Sequence, residues 1–284
     1  LHLSLRRQRQ MCIRDRIRCA RPLNLSNCAK ISKPKFFDTN DTERTMTDSQ
    51  MLYTVEDHVA TITFNRPEQQ NTISGSMLNR FSKLLLEADS DADVRAIVIT
   101  GTGKFFCAGL DLRGSDITDN LSSERATPTT LDLKNTPPTV LHNLDTPTIA
   151  ALNGSAAGYG MDLALGCDIR IMADHAKLAA AFTARGVVPE SGGTWILPRL
   201  IGWSRASEII FTGKTLSATE CKEMGLVSHI VNNNEVGERA KALAREISGR
   251  APLAVQASKR MMRMGMNETF NDHVHHVFLS LIHI

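Results

Sequence analysis

A glycine-rich turn between an apolar segment and a helix constrains this chain more than any other feature. Residues 147–152 are apolar and β-branched, as in a buried strand, and Gly154, Gly158 and Gly160 follow. Glycine permits positive φ and lets a ligand approach the main chain closely. The helix expected from about Gly158 has unpaired N–H groups and a positive dipole end at its start. The turn can therefore bind a developing oxyanion, although a tight strand-to-helix joint that needs small residues for packing has the same spacing.

A second turn of this kind lies upstream, in residues 101–112. It follows another apolar segment, residues 94–100, and contains small residues as far as Gly109. A backbone N–H just past Gly109 can face a carbonyl oxygen in this arrangement. Two such amides, one from each turn, would make an oxyanion hole, in which preorganised donors stabilise developing negative charge.

These two turns, together with residues 65–68 and 188–194, closely resemble the enoyl-CoA hydratase/isomerase (crotonase) family. The resemblance covers residues 51–275 and implies that the N–H groups of Leu110 and Tyr159 form the oxyanion hole, whatever their side chains. Within residues 65–68, Arg66 either touches a phosphate of coenzyme A or is a solvated loop arginine. The positions expected to bind an acyl-CoA thioester are Arg66, Ala108, Gly109, Leu110, Asp111, Gly158, Tyr159 and Gly160.

The order of the predicted elements indicates an α/β protein built from repeated strand–strand–helix units. Parallel crossovers are right-handed almost without exception, so we expect a right-handed spiral, which is the crotonase-like fold that the resemblance implies. The spiral core is expected over residues 46–234, followed by a C-terminal helical region over 235–284 that is truncated relative to the family. Residues 1–45 are expected to be a disordered or non-native leader.

Length and composition fit a globular α/β protein. The chain has 284 residues, of which 42% are hydrophobic, and this is a normal share for a soluble domain. No apolar run approaches the ~20 residues that span a bilayer, so we expect no membrane span. The absence of CxxC spacing predicts buried thiols in a reduced compartment and no metal cluster. The six cysteines are Cys12, Cys19, Cys28, Cys107, Cys167 and Cys221.

Positive charge is concentrated at the start of the chain. Residues 1–35 contain ten Lys/Arg and one acid, a net charge of +9, which leaves −6 on the rest of a chain whose overall charge is +3. An Arg-rich leader is typical of an organelle transit peptide, or of an arm for nucleic acid or anionic lipid. Residues 11–16 and 279–284 look instead like non-native translated sequence. We expect a cytoplasmic protein without a nucleic-acid partner, or a mitochondrial or peroxisomal matrix protein if the leader is genuine.

Four further segments have recognisable patterns. Residues 52–64 alternate between two faces and predict a β-hairpin. Ser74 or Ser76 is expected to cap a helix whose apolar residues recur at spacings of three and four. Residues 113–135 are polar and lack periodicity, which indicates a lid or a disordered loop, and the family places this segment beside the acyl pocket. Residues 194–264 are mainly helical in pattern.

Proton transfer next to the thioester needs a base, and the resemblance points to three positions. Asp162 stands where hydratases have one glutamate, and its carboxylate is retracted by one methylene, on the order of 1 Å. Phe182 stands at the second hydratase position, where a phenyl ring cannot carry a proton. Glu190 stands where double-bond isomerases have their single base. Apart from the resemblance, Glu190 could cap a helix and Asp162 could bond backbone amides or hold a water.

The first functional hypothesis is an acyl-CoA enzyme that converts a 3-enoyl-CoA to a 2-enoyl-CoA, as in fatty-acid β-oxidation, with Glu190 as principal base and Asp162 assisting. The close alternative is hydration of a 2-enoyl-CoA, with both carboxylates activating water. A non-catalytic binding scaffold with a crotonase fold is the third hypothesis, and the retained glycines count against it. Coenzyme A is part of the substrate, so no separate cofactor or metal is expected. The family implies a homotrimer or a dimer of trimers.

Overall fold

The computed structural model of the protein describes residues 49–111 and 134–283, with side chains through Leu279. The leader predicted over residues 1–45 and nearly all of the polar segment 113–135 lie outside the described residues. The strands in the described part are β1 (Met51–Glu56), β2 (Val59–Phe64), β3 (Ala96–Gly101), β4 (Phe105–Cys107), β5 (Thr148–Leu152), β6 (Ser155–Ala157), β7 (Ile169–Ala173), β8 (Lys177–Ala179), β9 (Thr215–Ser217) and β10 (His229–Val231).

Helices lie between pairs of these strands and form the C-terminal part of the chain. The helices of the described part are α1 (Gly75–Ser90), α2 (Pro137–Asn143), α3 (Tyr159–Gly166), α4 (Gly193–Ile201), α5 (Trp203–Thr212), α6 (Ala218–Glu223), α7 (Val236–Ser248), α8 (Pro252–Gly265) and α9 (Phe270–His283). Ser74 is the N-cap of α1, where its hydroxyl accepts a hydrogen bond from the Met77 backbone N–H.

Successive strands divide between two sheets. The larger sheet has the order β1-β2-β3-β5-β7-β10 and the smaller one has the order β4-β6-β8-β9. The first strand of each pair (β3, β5, β7) is parallel to its neighbours in the larger sheet. The second strands (β4, β6, β8) are parallel to one another in the smaller sheet, where β9 pairs antiparallel with β8. The predicted hairpin is confirmed as the antiparallel pair β1–β2. Because β4 and β6 are neighbours, the turns that follow them lie side by side.

Apolar runs and small helical residues build the core. β5 is buried along its whole length, as expected for a parallel strand that is covered on both faces. Phe64 of β2 makes edge contacts with Phe81 of α1 and Phe106 of β4, at ring-centre distances of 5.2 and 5.7 Å. These contacts fix the short strand β4, which leads into the first glycine turn, against the main sheet.

Several elements differ from the expectations. The three-residue strands β4, β6 and β9 were not expected, because such strands are too short to show a period of two. The segment Phe270–His283 forms a helix, α9, inside the helical region predicted over 235–284 but beyond residue 264, where the last individually predicted helix ends. The boundary predicted at residue 234 stays a prediction, and α7 beyond it places its apolar face in the core, at Val236, Ala240 and Ala244.

Candidate active site

A short parallel bridge between Ile73 and Leu110 fixes the first glycine turn. β4 ends at Cys107, and Gly109 adopts a φ of +106°, which favours glycine. The Ile73 N–H donates to the Gly109 carbonyl at 2.9 Å, and the Asp111 N–H donates to the Ile73 carbonyl at 2.9 Å. In such a bridge the residue between the two bonds turns its own N–H to the opposite side. The Leu110 N–H therefore points away from Ile73.

The second glycine turn lies directly against the first. Gly158 has a φ of +52°, its N–H donates to the Ala179 carbonyl at 2.9 Å, and Tyr159 is the first residue of α3. A Cβ at Gly109 would lie 3.0 Å from the Ala157 carbonyl oxygen and 3.7 Å from Tyr159 N. The two turns are therefore in contact beside the predicted oxyanion amides.

Gly160 sets the distance between α3 and β4. A Cβ at this position would lie 2.2 Å from the Cys107 carbonyl oxygen and 2.8 Å from its sulfur, so only glycine allows this contact. The Cys107 sulfur accepts the Gly109 N–H at 3.4 Å. Burial raises the pKa of Cys107 to about 12, so this thiol stays protonated and fills space between the two turns.

Both predicted oxyanion amides are available to a ligand as far as the described residues show. Within residues 49–111 and 134–283, neither Leu110 N nor Tyr159 N has a hydrogen-bond acceptor. Two adjacent unpaired donors suit an oxygen atom that gains negative charge during a reaction.

Asp162 is buried and joins α3 to the start of α4. One carboxylate oxygen, Oδ2, accepts the Ser191 hydroxyl at 2.6 Å and the Gly193 N–H at 3.1 Å. Burial raises the pKa of Asp162 to about 6, the two hydrogen bonds oppose the rise, and the charge of Glu190 adds to it. A Cβ at Gly193 would lie 2.3 Å from Oδ1, so this glycine makes room for the carboxylate.

Glu190 lies on the same turn and is exposed. Burial is the main cause of the raised pKa values of Asp162 and of the Tyr159 phenol, and the charge of Glu190 raises both further. The fold therefore brings Glu190 near Asp162 and the start of α3. At the second hydratase position, Phe182 is buried, and its ring lies 3.9 Å from where a Gly158 Cβ would be. An apolar ring thus packs against the second turn.

The interpretation of Arg66 as a solvated loop arginine is wrong. Its side chain is 12% exposed, because Nη2 pairs with Asp111 Oδ2 at 3.0 Å and Nη1 donates to the Thr72 carbonyl at 2.8 Å. A contact with a phosphate of coenzyme A stays a prediction. Ala108, another expected binding position, donates its N–H to the Gln70 carbonyl at 3.0 Å, so its amide is occupied by the fold.

Comparison with known proteins now identifies the family. The sequence profile described as enoyl-CoA hydratase/isomerase matches residues 54–277, which is most of the chain. The chain belongs to the enoyl-CoA hydratase/isomerase family. It is 37% identical over 228 residues to "Putative enoyl-CoA hydratase/isomerase YngF" of Bacillus subtilis (strain 168), with 78% of this chain and 84% of that protein covered.

Relatives within the enoyl-CoA hydratase/isomerase family carry different names for their reactions. The chain is 33% identical to the 1,2-epoxyphenylacetyl-CoA isomerase of Escherichia coli (strain K12), over 78% of this chain and 84% of that one. It is 35% identical to the short-chain-enoyl-CoA hydratase of Clostridium acetobutylicum, over 74% and 80%. Membership of the family therefore supports an enzyme that acts on acyl-CoA, without deciding between isomerase and hydratase.

A solved structure confirms the predicted fold class. The "probable enoyl-CoA hydratase/isomerase from Mycobacterium abscessus" superposes with a TM-score of 0.72 at 33% identity, covering 83% of this chain and 90% of that one. The fold of this family member is thus crotonase-like, with parallel sheets and surrounding helices.

In the described ranges no group of three or more His, Cys, Asp or Glu residues is arranged to hold a metal ion. No helix of that same part is both long and apolar enough to cross a bilayer. The three cysteines described there, Cys107, Cys167 and Cys221, are buried free thiols.

Sequence reasoning missed three residues that shape the site. Ser191 bonds Asp162, Cys107 lies between the turns, and Asn71 is fully buried with a φ of +55°. Asparagine tolerates positive φ better than most residues, so Asn71 next to Thr72 was a weak signal of a tight turn. The roles of Ser191 and Cys107 depend on contacts between distant segments, which a single sequence does not display.

Proposed function

We propose that this family member moves the double bond of a 3-enoyl-CoA thioester to the 2-position. In this proposal Glu190 is the catalytic base, and the Leu110 and Tyr159 amides hold the thioester oxygen. Membership of the enoyl-CoA hydratase/isomerase family supports an acyl-CoA substrate, of which coenzyme A is a part, and the proposed reaction needs no separate cofactor.

The two hydrogen bonds that the Asp162 carboxylate accepts are the observation that favours an isomerase. Its Oδ2 already accepts two hydrogen bonds from the turn that bears Glu190, so its main contribution is to fix that turn. Phe182 has no proton to exchange. Glu190 is then the exposed carboxylate among the three positions where the family places a base.

The proposed reaction needs one base and one oxyanion hole. The Glu190 carboxylate removes a proton from C2 of the 3-enoyl thioester, and the electron pair of the C–H bond moves into the conjugated system to give a dienolate. The two amides stabilise the negative charge on the thioester oxygen. The Glu190 carboxylic acid then returns the proton to C4, which leaves the double bond between C2 and C3 and the base ready for another cycle.

Hydration of a 2-enoyl-CoA is the second candidate, and one observation favours it. Glu190 precedes Ser191, whose hydroxyl bonds the Asp162 carboxylate, and burial together with the charge of Glu190 raises the pKa of Asp162. The two carboxylates are therefore held near each other, as activation of a water molecule by two acids requires. The relative from Clostridium acetobutylicum is named as a hydratase. In this alternative one carboxylate takes a proton from water as the hydroxyl bonds C3, the π electrons of the C2–C3 bond move to C2 through the enolate, and a proton from a carboxylic acid bonds C2, so that one water is added in total.

A direct comparison of the two reactions tests the proposal. The protein is incubated with 3-hexenoyl-CoA and, separately, with 2-hexenoyl-CoA, and the products are separated by chromatography. We expect conversion of the 3-enoyl to the 2-enoyl thioester to be faster than formation of 3-hydroxyhexanoyl-CoA from the 2-enoyl thioester. Faster hydration would reject the isomerase proposal in favour of the second candidate. Binding of both thioesters without turnover would favour the scaffold hypothesis.

We also propose that the protein forms a homotrimer or a dimer of trimers. Several large apolar side chains on α5, α8 and α9 are exposed in the single chain, which is a feature of surfaces that pack against a partner. They include Trp203, Phe211, Met262, Phe270 and Phe278. Analytical ultracentrifugation tests this, since a monomeric mass at micromolar concentration would contradict it.

A further inference from the structure

Two segments run side by side at the first glycine turn, and one of them is part of that turn. Residues 66–73 contact residues 108–111 through three backbone hydrogen bonds. The Ala108 N–H donates to the Gln70 carbonyl. Ile73 bonds Gly109 and Asp111, the residues on either side of Leu110. The direction of the Leu110 N–H therefore depends on how segment 66–73 is held.

The Arg66 guanidinium ties both segments together. Nη2 pairs with Asp111 Oδ2 at 3.0 Å, and Nη1 donates to the Thr72 carbonyl at 2.8 Å. The two side chains of the ion pair are only 12% and 13% exposed, so solvent and salt weaken the pair less than they weaken a surface pair. Thr72 precedes Ile73, and Asp111 follows Leu110, so the guanidinium joins the residues next to the bridge.

Asn71 anchors the Arg66 backbone to the start of β4. Its Oδ1 accepts the Arg66 N–H at 2.8 Å, and its Nδ2 donates to the carbonyls of Thr102 and Phe105 at 2.9 and 2.7 Å. Because Asn71 is fully buried, this anchor is protected from water. The guanidinium thus starts from a fixed backbone position.

We infer that Arg66 and Asp111 are positioning residues that hold the Leu110 amide in its place in the oxyanion hole. The inference rests on the proposed function, because it assigns the pair a role in the same reaction. An oxyanion donor must lie about 2.7–3.1 Å from the developing charge, and a displacement on the order of 1 Å can cost about 100-fold in rate. The forked guanidinium makes its two bonds at once, which a lysine ammonium cannot reproduce in the same geometry.

A double-mutant cycle with a chromophoric ligand tests the inference. The variants are Arg66→Met, Asp111→Asn and the double variant. The ligand is 4-dimethylaminocinnamoyl-CoA, whose absorption moves to longer wavelength when its thioester carbonyl is polarised. We expect each single variant to lose most of this red shift and about 10- to 100-fold in kcat on 3-hexenoyl-CoA, with KM within about threefold. The double variant should lose little more than either single one, because both remove the same clamp.

Arg263→Lys is the matched control. Arg263 is comparably buried, pairs with Asp145 and donates to the carbonyls of His142 and Leu144, away from both glycine turns. This variant should keep the red shift and kcat. Thermal unfolding of each variant separates lost positioning from lost folding, and Asp111→Asn, the conservative change, carries the test if Arg66→Met does not fold.

The possible outcomes separate the inference from the proposed function. A variant that raises KM at unchanged kcat and unchanged red shift would overturn the positioning role and assign Arg66 to coenzyme A binding. Normal kcat and red shift in all three variants would overturn the inference alone. A parent protein that gives no red shift on binding the chromophore would overturn the proposed oxyanion hole and the inference with it.

Discussion

The carboxylate of Asp162 accepts the Ser191 hydroxyl at 2.6 Å across a separation of 29 residues. This contact joins α3, whose start carries the Tyr159 amide, to the turn that carries Glu190. The same oxygen accepts the Gly193 N–H at the start of α4. The position of the proposed base relative to the proposed oxyanion hole is therefore fixed through one buried carboxylate.

The contribution of Asp162 to the stability of the protein should fall as the pH rises from about 4 to about 6. Burial raises its pKa from 3.8 to about 6, so in this window the folded protein keeps a proton that the unfolded chain has released. The contribution has a slope of up to about −1.4 kcal/mol per pH unit. Urea denaturation of the parent and of Asp162→Asn between pH 4 and 6.5 measures it. Parallel pH dependences in the two proteins would contradict the prediction.

Gly160→Ala should destabilise the protein by about 1–3 kcal/mol, as overpacking of a core does, and should lower activity. The new Cβ would meet the backbone oxygen of Cys107 at 2.2 Å, and β4 cannot move away without displacing the first turn. Gly237→Ala in α7 is the matched control, because nothing lies within 4 Å of the new methyl group. This control should be about 0.5–1 kcal/mol more stable than the parent. Equal urea midpoints for the two variants would refute the contact.

The pattern of the sequence was sufficient to predict the fold class and the places of the two glycine turns. Regular helices and the hairpin 51–64 have clear periodicity, and the two glycine turns lie where buried strands end, so both were predictable. The network around Arg66 was not, because the arginine stands in a polar Asn-Arg-Pro-Glu turn that resembles an exposed loop, and its partner Asp111 is 45 residues away. Likewise, the short strand β4 is positioned by the packing of Phe106 against Phe64 of β2, a contact between distant segments that the local sequence pattern does not display.

Phe182→Glu should increase hydration of 2-hexenoyl-CoA by about 10-fold or more, the lower range of what a general acid–base group contributes. The ring of Phe182 lies against the second turn, where the family resemblance places the second hydratase carboxylate. Phe182→Gln is the control, because it has similar size and polarity but cannot exchange a proton. Similar hydration rates for the two variants would show that a carboxylate at this position is not sufficient.

The rate of 3-hexenoyl-CoA isomerisation by Glu190→Gln tests the central claim most directly. Glutamine keeps the shape and a hydrogen-bonding head, so folding should survive, and loss of the general base should lower kcat by at least about 100-fold. Glu223→Gln, at an exposed position on α6, should match the parent, and Asp162→Asn should lose much less than Glu190→Gln. A Glu190→Gln enzyme within about threefold of the parent, or an Asp162→Asn enzyme that is the more severely impaired of the two, would contradict the assignment of Glu190 as the base.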